Sequence, residues 1–223
     1  MRLALAFLLL LVGCDSGTSR GDLVVRVKSD LQPGFEFTEV RTSLEGSPTA
    51  SDGEQTVRAL TAEHSSYLAG REVAVFEGVL GADPVVRVRV MAGEVVLADR
   101  HAIARIPNGG AAVLTVLVTR DCQGVTCPGV AGAANETECV GGACVPRSCT
   151  PESPGTCPPP PCSRDSDCSN GGIECALGRC ADGRCLLAAD ESLCGAGQHC
   201  ALSSGCVGSV GDSGVPDDAG AGP

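Results

Sequence analysis

The chain has 223 residues and a net charge of −11, a balance that disfavours nucleic acid and anionic headgroups as direct ligands. Aromatic residues make up only 2% of it, so stacking platforms for bases or sugars are scarce. Fifteen cysteines point to an oxidising compartment rather than a cytosolic one.

The chain opens with Met1-Arg2 and a continuous apolar run, Leu3 to Val12, ending on small residues. That is the layout of a secretory signal peptide, and it is well short of the roughly 20 residues a spanning helix needs. The exit, Leu11-Val12-Gly13-Cys14, resembles the lipobox of bacterial lipoproteins. The resemblance implies removal of residues 1–13, a diacylglycerol thioether on Cys14 and acylation, palmitate included, of the new amino group. Two or three acyl chains anchor a protein stably where a single chain does not. The expected partner of this end is therefore the membrane. Residues 14–21 read as a short polar tether, with no apolar residue to bury after Cys14. Asp15 resembles the inner-membrane retention signal of enteric lipoproteins. The expected location remains the cell envelope, with the outer membrane or cell surface favoured.

Residues 22–121 carry the apolar material for a core. Leu23, Val25 and Val27 alternate with Arg26 and Lys28, and Val86, Val88 and Val90 alternate with Arg87 and Arg89. Period-two alternation of this kind marks half-buried strands. Phe35 and Phe37 share one parity, then Val40, Thr42 and Leu44 take the other, which predicts a bulge near Thr38. Val73 and Val75 predict a further strand, as do Val95 and Leu97. Ala112 to Val118 is apolar on both faces, the pattern of a strand covered on both sides. Turn signals fall at Pro33-Gly34, Asp52-Gly53, Gly81 to Pro84 and Asn108 to Gly110. Six to eight strands in 100 residues predict an all-β sandwich of immunoglobulin or fibronectin-III type. Residues 54–69 read two ways. Val57, Leu60, His64, Tyr67 and Leu68 have helical spacing with Gly70 as a stop and Ser51/Glu54 as a capping box, but Thr56 to Leu60 alternates, and a strand is preferred.

From Cys122 to Cys206 composition turns to Cys, Gly, Pro and Asp, a small disulfide-rich irregular module. Setting Cys14 aside leaves Cys122, Cys127, Cys139, Cys144, Cys149, Cys157, Cys162, Cys168, Cys175, Cys180, Cys185, Cys194, Cys200 and Cys206. Fourteen exported cysteines predict seven disulfides. The runs Cys139–Cys168 and Cys175–Cys206 have similar spacing and both open on Glu-Cys (Glu138, Glu174), which predicts a duplicated six-cysteine unit. Pairing is then expected within each unit, with Cys122 bonded to Cys127. A second partition groups Cys162 to Cys206 as one eight-cysteine module. The halves are expected to be independent, the first held by burial and the second by cross-links. Residues 207–223 read as a disordered acidic tail.

The remaining motifs carry little chemistry. No Cys-x₂-Cys pair of the zinc type is present, so no metal is expected. Asp165-x-Asp167-x-Ser169 opens like a calcium loop, but Asn170 replaces the glycine and Ala176 the twelfth-position acid. Thr61-Ala62-Glu63-His64 and Gly211-Asp212-Ser213-Gly214 resemble fragments of the trypsin-like His and Ser motifs. Ser213 lies in the tail, however, where nothing rigid could hold a triad. Neither a catalytic residue nor a cofactor is expected.

The lipobox, Pro33 to Phe37, the junction Thr119 to Pro128, Asp165 to Cys168 and Cys180 to Cys185 together resemble the cysteine-rich surface lipoproteins of myxobacteria and their relatives. That group implies architecture and location, and no common activity. The expectation is a non-enzymatic, membrane-anchored surface lipoprotein mediating protein or cell-surface contacts. The alternatives are an envelope spacer without a specific ligand and, behind it, a hydrolase.

Overall fold

The computed structural model describes residues 20–45, 53–81, 83–107, 110–127 and 135–208. Cys14, the capping-box Ser51, the Asn108-Gly109 turn residues, Ser213 and the tail from residue 209 lie outside them. Among the described residues no helix is long and apolar enough to cross a membrane.

Seven strands form two sheets: β1 (Arg20–Ser29), β2 (Glu39–Glu45), β3 (Gln55–Arg58), β4 (Arg71–Leu80), β5 (Val85–Ala92), β6 (Val95–Ile103) and β7 (Ala111–Val118). One sheet runs β4-β1-β7, with β1 antiparallel to β4 and parallel to β7; the other runs β3-β2-β5-β6, all antiparallel. The two share one core. Leu23, Val25 and Val27 of β1 face Val86, Val88 and Val90 of β5 across it, all essentially inaccessible. The arginines between the β5 valines stay outside, where Arg87 pairs with Asp99 (2.5 Å) and Arg89 with Glu54. Period-two patterning therefore translated directly into facing sheets. β1 begins at Arg20, inside the expected tether, and Gly21 is there for space. A Cβ at Gly21 would stand 2.3 Å from an Ile106 methyl group and 2.4 Å from the Gly110 carbonyl oxygen.

Three local expectations change. Phe35 and Phe37 do not share the core: Phe37 is 1% exposed and Phe35 71%. Residues 33–37 form a turn that closes on itself, with the Gly34 N–H donating to the Phe37 carbonyl (2.8 Å) and the Glu36 N–H to that of Gln32 (2.9 Å). This turn, rather than a bulged strand, resets the parity before Val40. Residues 54–69 are neither all strand nor all helix. β3 ends at Arg58, and a short helix α1 (His64–Ala69) follows, stopped by Gly70 at φ 104°. Tyr67 of α1 packs edge-on against Phe37, centroids 5.0 Å apart, which seats the helix on the core.

The cysteine-rich region holds three hairpins: β8 (Glu138–Val140) with β9 (Ala143–Val145), β10 (Ala176–Ala181) with β11 (Arg184–Ala189), and β12 (Gln198–Ala201) with β13 (Gly205–Gly208). β13 thus takes in residues 207 and 208, which were expected in the tail. All fourteen cysteines are bonded: 122–139, 127–144, 149–157, 162–180, 168–185, 175–200 and 194–206. Cys122 is therefore not the partner of Cys127, and the Cys139–Cys168 unit is not closed. Six cysteines close among themselves up to Cys157 and eight from Cys162, the second partition.

The repeat lies elsewhere in the chain. In each of 122/127/139/144, 162/168/180/185 and 175/194/200/206, the first cysteine bonds the third and the second bonds the fourth. The third and fourth sit opposite each other on one hairpin. The first two hairpins turn through Gly141-Gly142 and Asp182-Gly183, all four at positive φ, as a two-residue hairpin loop of the primed type requires. The third copy is interleaved with the second in sequence, because Cys175 precedes Cys180.

Candidate functional site

The cysteine-rich region lies along the sandwich and covers its open sides. The outer edges of β6 and β7 have N–H groups with no strand to pair with. The His101 N–H donates to Glu138 Oε2 (2.7 Å), the Ile103 N–H to the Arg147 carbonyl (2.9 Å) and the Thr115 N–H to Glu152 Oε1 (2.9 Å). Residues 138–152 thus blunt two edges that would otherwise template further strands. On the outer face of β7, Leu117 (6% exposed) packs with Val140, Val145 and Cys149. Burying such a leucine contributes about 1.5–3 kcal/mol. The strand expected to be covered on both sides is so covered in its second half. Its cover is the cysteine-rich region itself, so the two halves share a buried contact at Leu117.

Charged groups fix the rest of this seam. Arg100, 4% exposed, lies beside the equally buried Glu138 (3.6 Å), and burial pushes its pKa down to about 10 against the pull of that carboxylate. Arg120 grips Glu36 through two guanidinium nitrogens at 2.6 Å each, and its N–H donates to Asp30 Oδ1 at 2.7 Å. Asp30 also accepts from the Leu187 N–H (3.4 Å), and burial raises its pKa despite these donors. Buried ion pairs of this kind hold register and orientation more than they add net stability.

The residues singled out for chemistry are occupied structurally. Asp165 accepts from Arg179 (2.7 Å) and from the Cys180 N–H (2.9 Å), and Asp167 accepts from Ser163 and Arg164. The Asp165 bond to Arg179 and the Asp167 bond to the Ser163 N–H lead in lowering the two carboxyl pKa values. The Asp167 carboxylate caps the turn before Cys168, and the Asp165 carboxylate ties that turn to β10. Glu191 repeats the device in the third unit, accepting from the Cys200 N–H (2.9 Å). Sulfurs do gather, Cys162 with Cys168 and Cys185, and Cys175 with Cys194 and Cys200. Each of these is half of an S–S bond and offers no thiolate to a metal.

His64 sits on α1, where burial lowers its pKa, and its Nε2 is buried without a partner among the described residues. It lines a cavity of about 300 Å³ with Pro33, Phe35, Leu68, Ala189 and Glu191. Phe35 stands at its mouth, stacked on His199 with centroids 5.1 Å apart. The other described aromatics, Phe37, Tyr67 and Phe76, are at most 1% exposed. Leu60 (59% exposed) lies beside this tip, its carbonyl 2.7 Å from where a Gly34 Cβ would stand.

This tip follows the C-terminal end of β1, whereas Arg20 begins the strand. Ten strand residues separate the two ends by about 30 Å. The sequence reading missed the tip because it assigned both phenylalanines to the core. The signal available was Gly34 and Pro33, which favour a turn at that point over a strand. Comparison with family models, curated proteins and solved structures finds no match to this chain.

Proposed function

We propose that the protein is a non-enzymatic envelope lipoprotein, anchored by acyl chains on Cys14, that makes protein or cell-surface contacts with the tip around Phe35. The carrying observation is the exposure of Phe35, 71% in a chain that buries its other described aromatics. An exposed aromatic held on a closed turn is the kind of side chain that dominates contact energies once a partner desolvates it. The tether enters at Arg20, at the opposite end of β1, so an anchored molecule would hold the tip away from the bilayer. The two-sheet architecture fits an immunoglobulin or fibronectin-III type scaffold in layers and strand number, with a different order: β1 is central in its sheet, whereas the first strand of the constant-type order lies at an edge.

Anchoring is tested by mass spectrometry of the native protein, which should find acylated Cys14 as the N-terminus. An unmodified N-terminus at another residue would overturn it. The contact role is tested on intact cells with a photo-crosslinking residue at position 35 or at position 83, near the Arg20 end. A discrete adduct from position 35 alone supports the proposal. No adduct, or the same adducts from both positions, rejects it in favour of a spacer.

A further inference from the structure

Among the described residues, the guanidinium groups at or near the seam between the sandwich and the cysteine-rich region include the partly exposed Arg147, paired with Glu45 and Glu138, and three more deeply buried ones, Arg100, Arg120 and Arg184. Arg100 has Glu138 beside it and Arg120 has Glu36. Arg184, 6% exposed, makes no ion pair with any described residue; one Nη2–H donates to the Pro158 carbonyl at 3.1 Å. The nearest acid in sequence, Asp182, lines the cavity described next, but its carboxylate is already held by Lys28 at 2.7 Å.

Arg100 lines a cavity of about 270 Å³ but has Glu138 beside it, whereas Arg184 lines a largely apolar one with no such counter-charge of its own. The space is about 290 Å³, walled by Leu117, Val140, the Cys149–Cys157 bridge, Pro151, Pro154 and Pro160. Its wall at Gly183 is close, a Cβ there standing 2.6 Å from that of Pro160. Burying a guanidinium without a counter-charge is costly, and apolar walls cannot repay it. Guanidinium recognises carboxylate with paired N–H donors in a fixed fork. A volume near the lower end of ligand-pocket sizes admits a small molecule and no more.

We infer that this cavity binds a small apolar carboxylate, with Arg184 holding the carboxylate and Leu117, Val140 and the prolines enclosing the apolar body. The ligand chemistry could be supplied by a free short-chain acid or by the C-terminal residue of a peptide. The site is independent of the tip around Phe35 and of any contact made there.

The test is a ¹⁵N-correlation NMR titration of the oxidised mature chain, with hexanoate against 1-hexanol and acetyl-leucine against its amide. Saturating shifts at Leu117, Val140, Gly183 and Arg184 are expected with an acid and at least tenfold weaker binding with its neutral partner. Hexanoate as the tighter acid points to a free acid, and acetyl-leucine as the tighter one to a peptide terminus. Arg184→Gln should lose at least tenfold in affinity for the acids, while Arg179→Gln, on the Asp165 side of the module, should not. If the Arg184 variant misfolds, the acid-against-neutral comparison on the unaltered chain still decides. Equal affinity for acid and neutral partner, shifts confined to other residues, or no saturation with any probe each overturn the inference.

Discussion

Gln32 holds Leu202 from 170 positions away in the chain. Its Oε1 accepts from the Leu202 N–H at 2.8 Å, while its Nε2 donates to the Cys200 carbonyl at 2.7 Å. The amide thereby acts as one rung of strand on the last hairpin, and Gln32 and Leu202 are both buried. Truncation leaves a donor and an acceptor stranded in a dry seam. Gln32→Ala should therefore cost about 2–4 kcal/mol by urea unfolding of the oxidised protein. Gln55 makes the same reciprocal pair with Val75 at an exposed site. There water can replace the lost partners, and Gln55→Ala should cost well under about 1 kcal/mol. Equal costs would show that burial of the Gln32 pair is immaterial.

A fragment ending at Asp121 should not behave as a stable monomer. It loses the cover on Leu117 and the groups that occupy the edge N–H donors of His101, Ile103 and Thr115. Exposed edges of this kind pair with each other. Sedimentation should show concentration-dependent association, and circular dichroism a lower melting temperature than the full chain. A monomeric fragment as stable as the full chain would falsify the shared seam.

Disulfide losses should rank by the chain each bridge closes. Cys175–Cys200 spans 25 residues and Cys149–Cys157 spans 8. Loop-closure entropy gives about 3.5 kcal/mol for the first and about 2.5 kcal/mol for the second. The Cys175→Ser/Cys200→Ser double variant should unfold at the lower urea concentration, and it also removes the bridge that ties the segment before β10 to the last hairpin. Peptide mapping of the unreduced protein should recover the crossed pairs 162–180 and 168–185; recovery of 122–127 would overturn the pairing.

Acidification should act through His64. Burial is the leading cause of its lowered pKa, so between pH 6.5 and the folded-state value the unfolded chain binds a proton that the folded chain does not. Stability should fall as pH falls through that window. Asp30 works in the opposite sense. Burial raises its pKa, so its contribution is fully present below the unfolded value of 3.8 and is lost as pH rises through the folded one. His64→Gln should flatten the loss of stability between pH 7 and pH 5 in urea titrations. An unchanged slope would assign the effect to another group.

Period-two patterns at Leu23–Val27 and Val86–Val90 were legible because alternation is a local property of a strand, and so were the turn at Gly34 and the helix stop at Gly70. Phe35 was misassigned because parity counts side chains without knowing whether the backbone is still extended. The cysteine count anticipated seven bridges, since an even number of cysteines in a core-poor segment suffices for that. Their pairing was not legible. Spacing fixes only loop lengths, and Glu-Cys at two positions suggested a register that ignores where the hairpins turn. The Gly141-Gly142 and Asp182-Gly183 turns carried the true register, with eleven residues between the second and third cysteines in both copies.

The double-sided apolar character of residues 112–118 declared that β7 needed cover on its outer face, and composition placed a core-poor, cross-linked segment directly after it. Nothing local said that the second supplies the cover for the first. Leu117 meets Val140 and Val145, and Gln32 meets Leu202, through contacts whose partners are tens to well over a hundred residues apart. Such contacts depend on the path of the intervening chain. Hydrophobic period and residue type are read along the backbone, while the seam, the charge left unpaired at Arg184 and the aromatic left at the tip arise where distant segments meet.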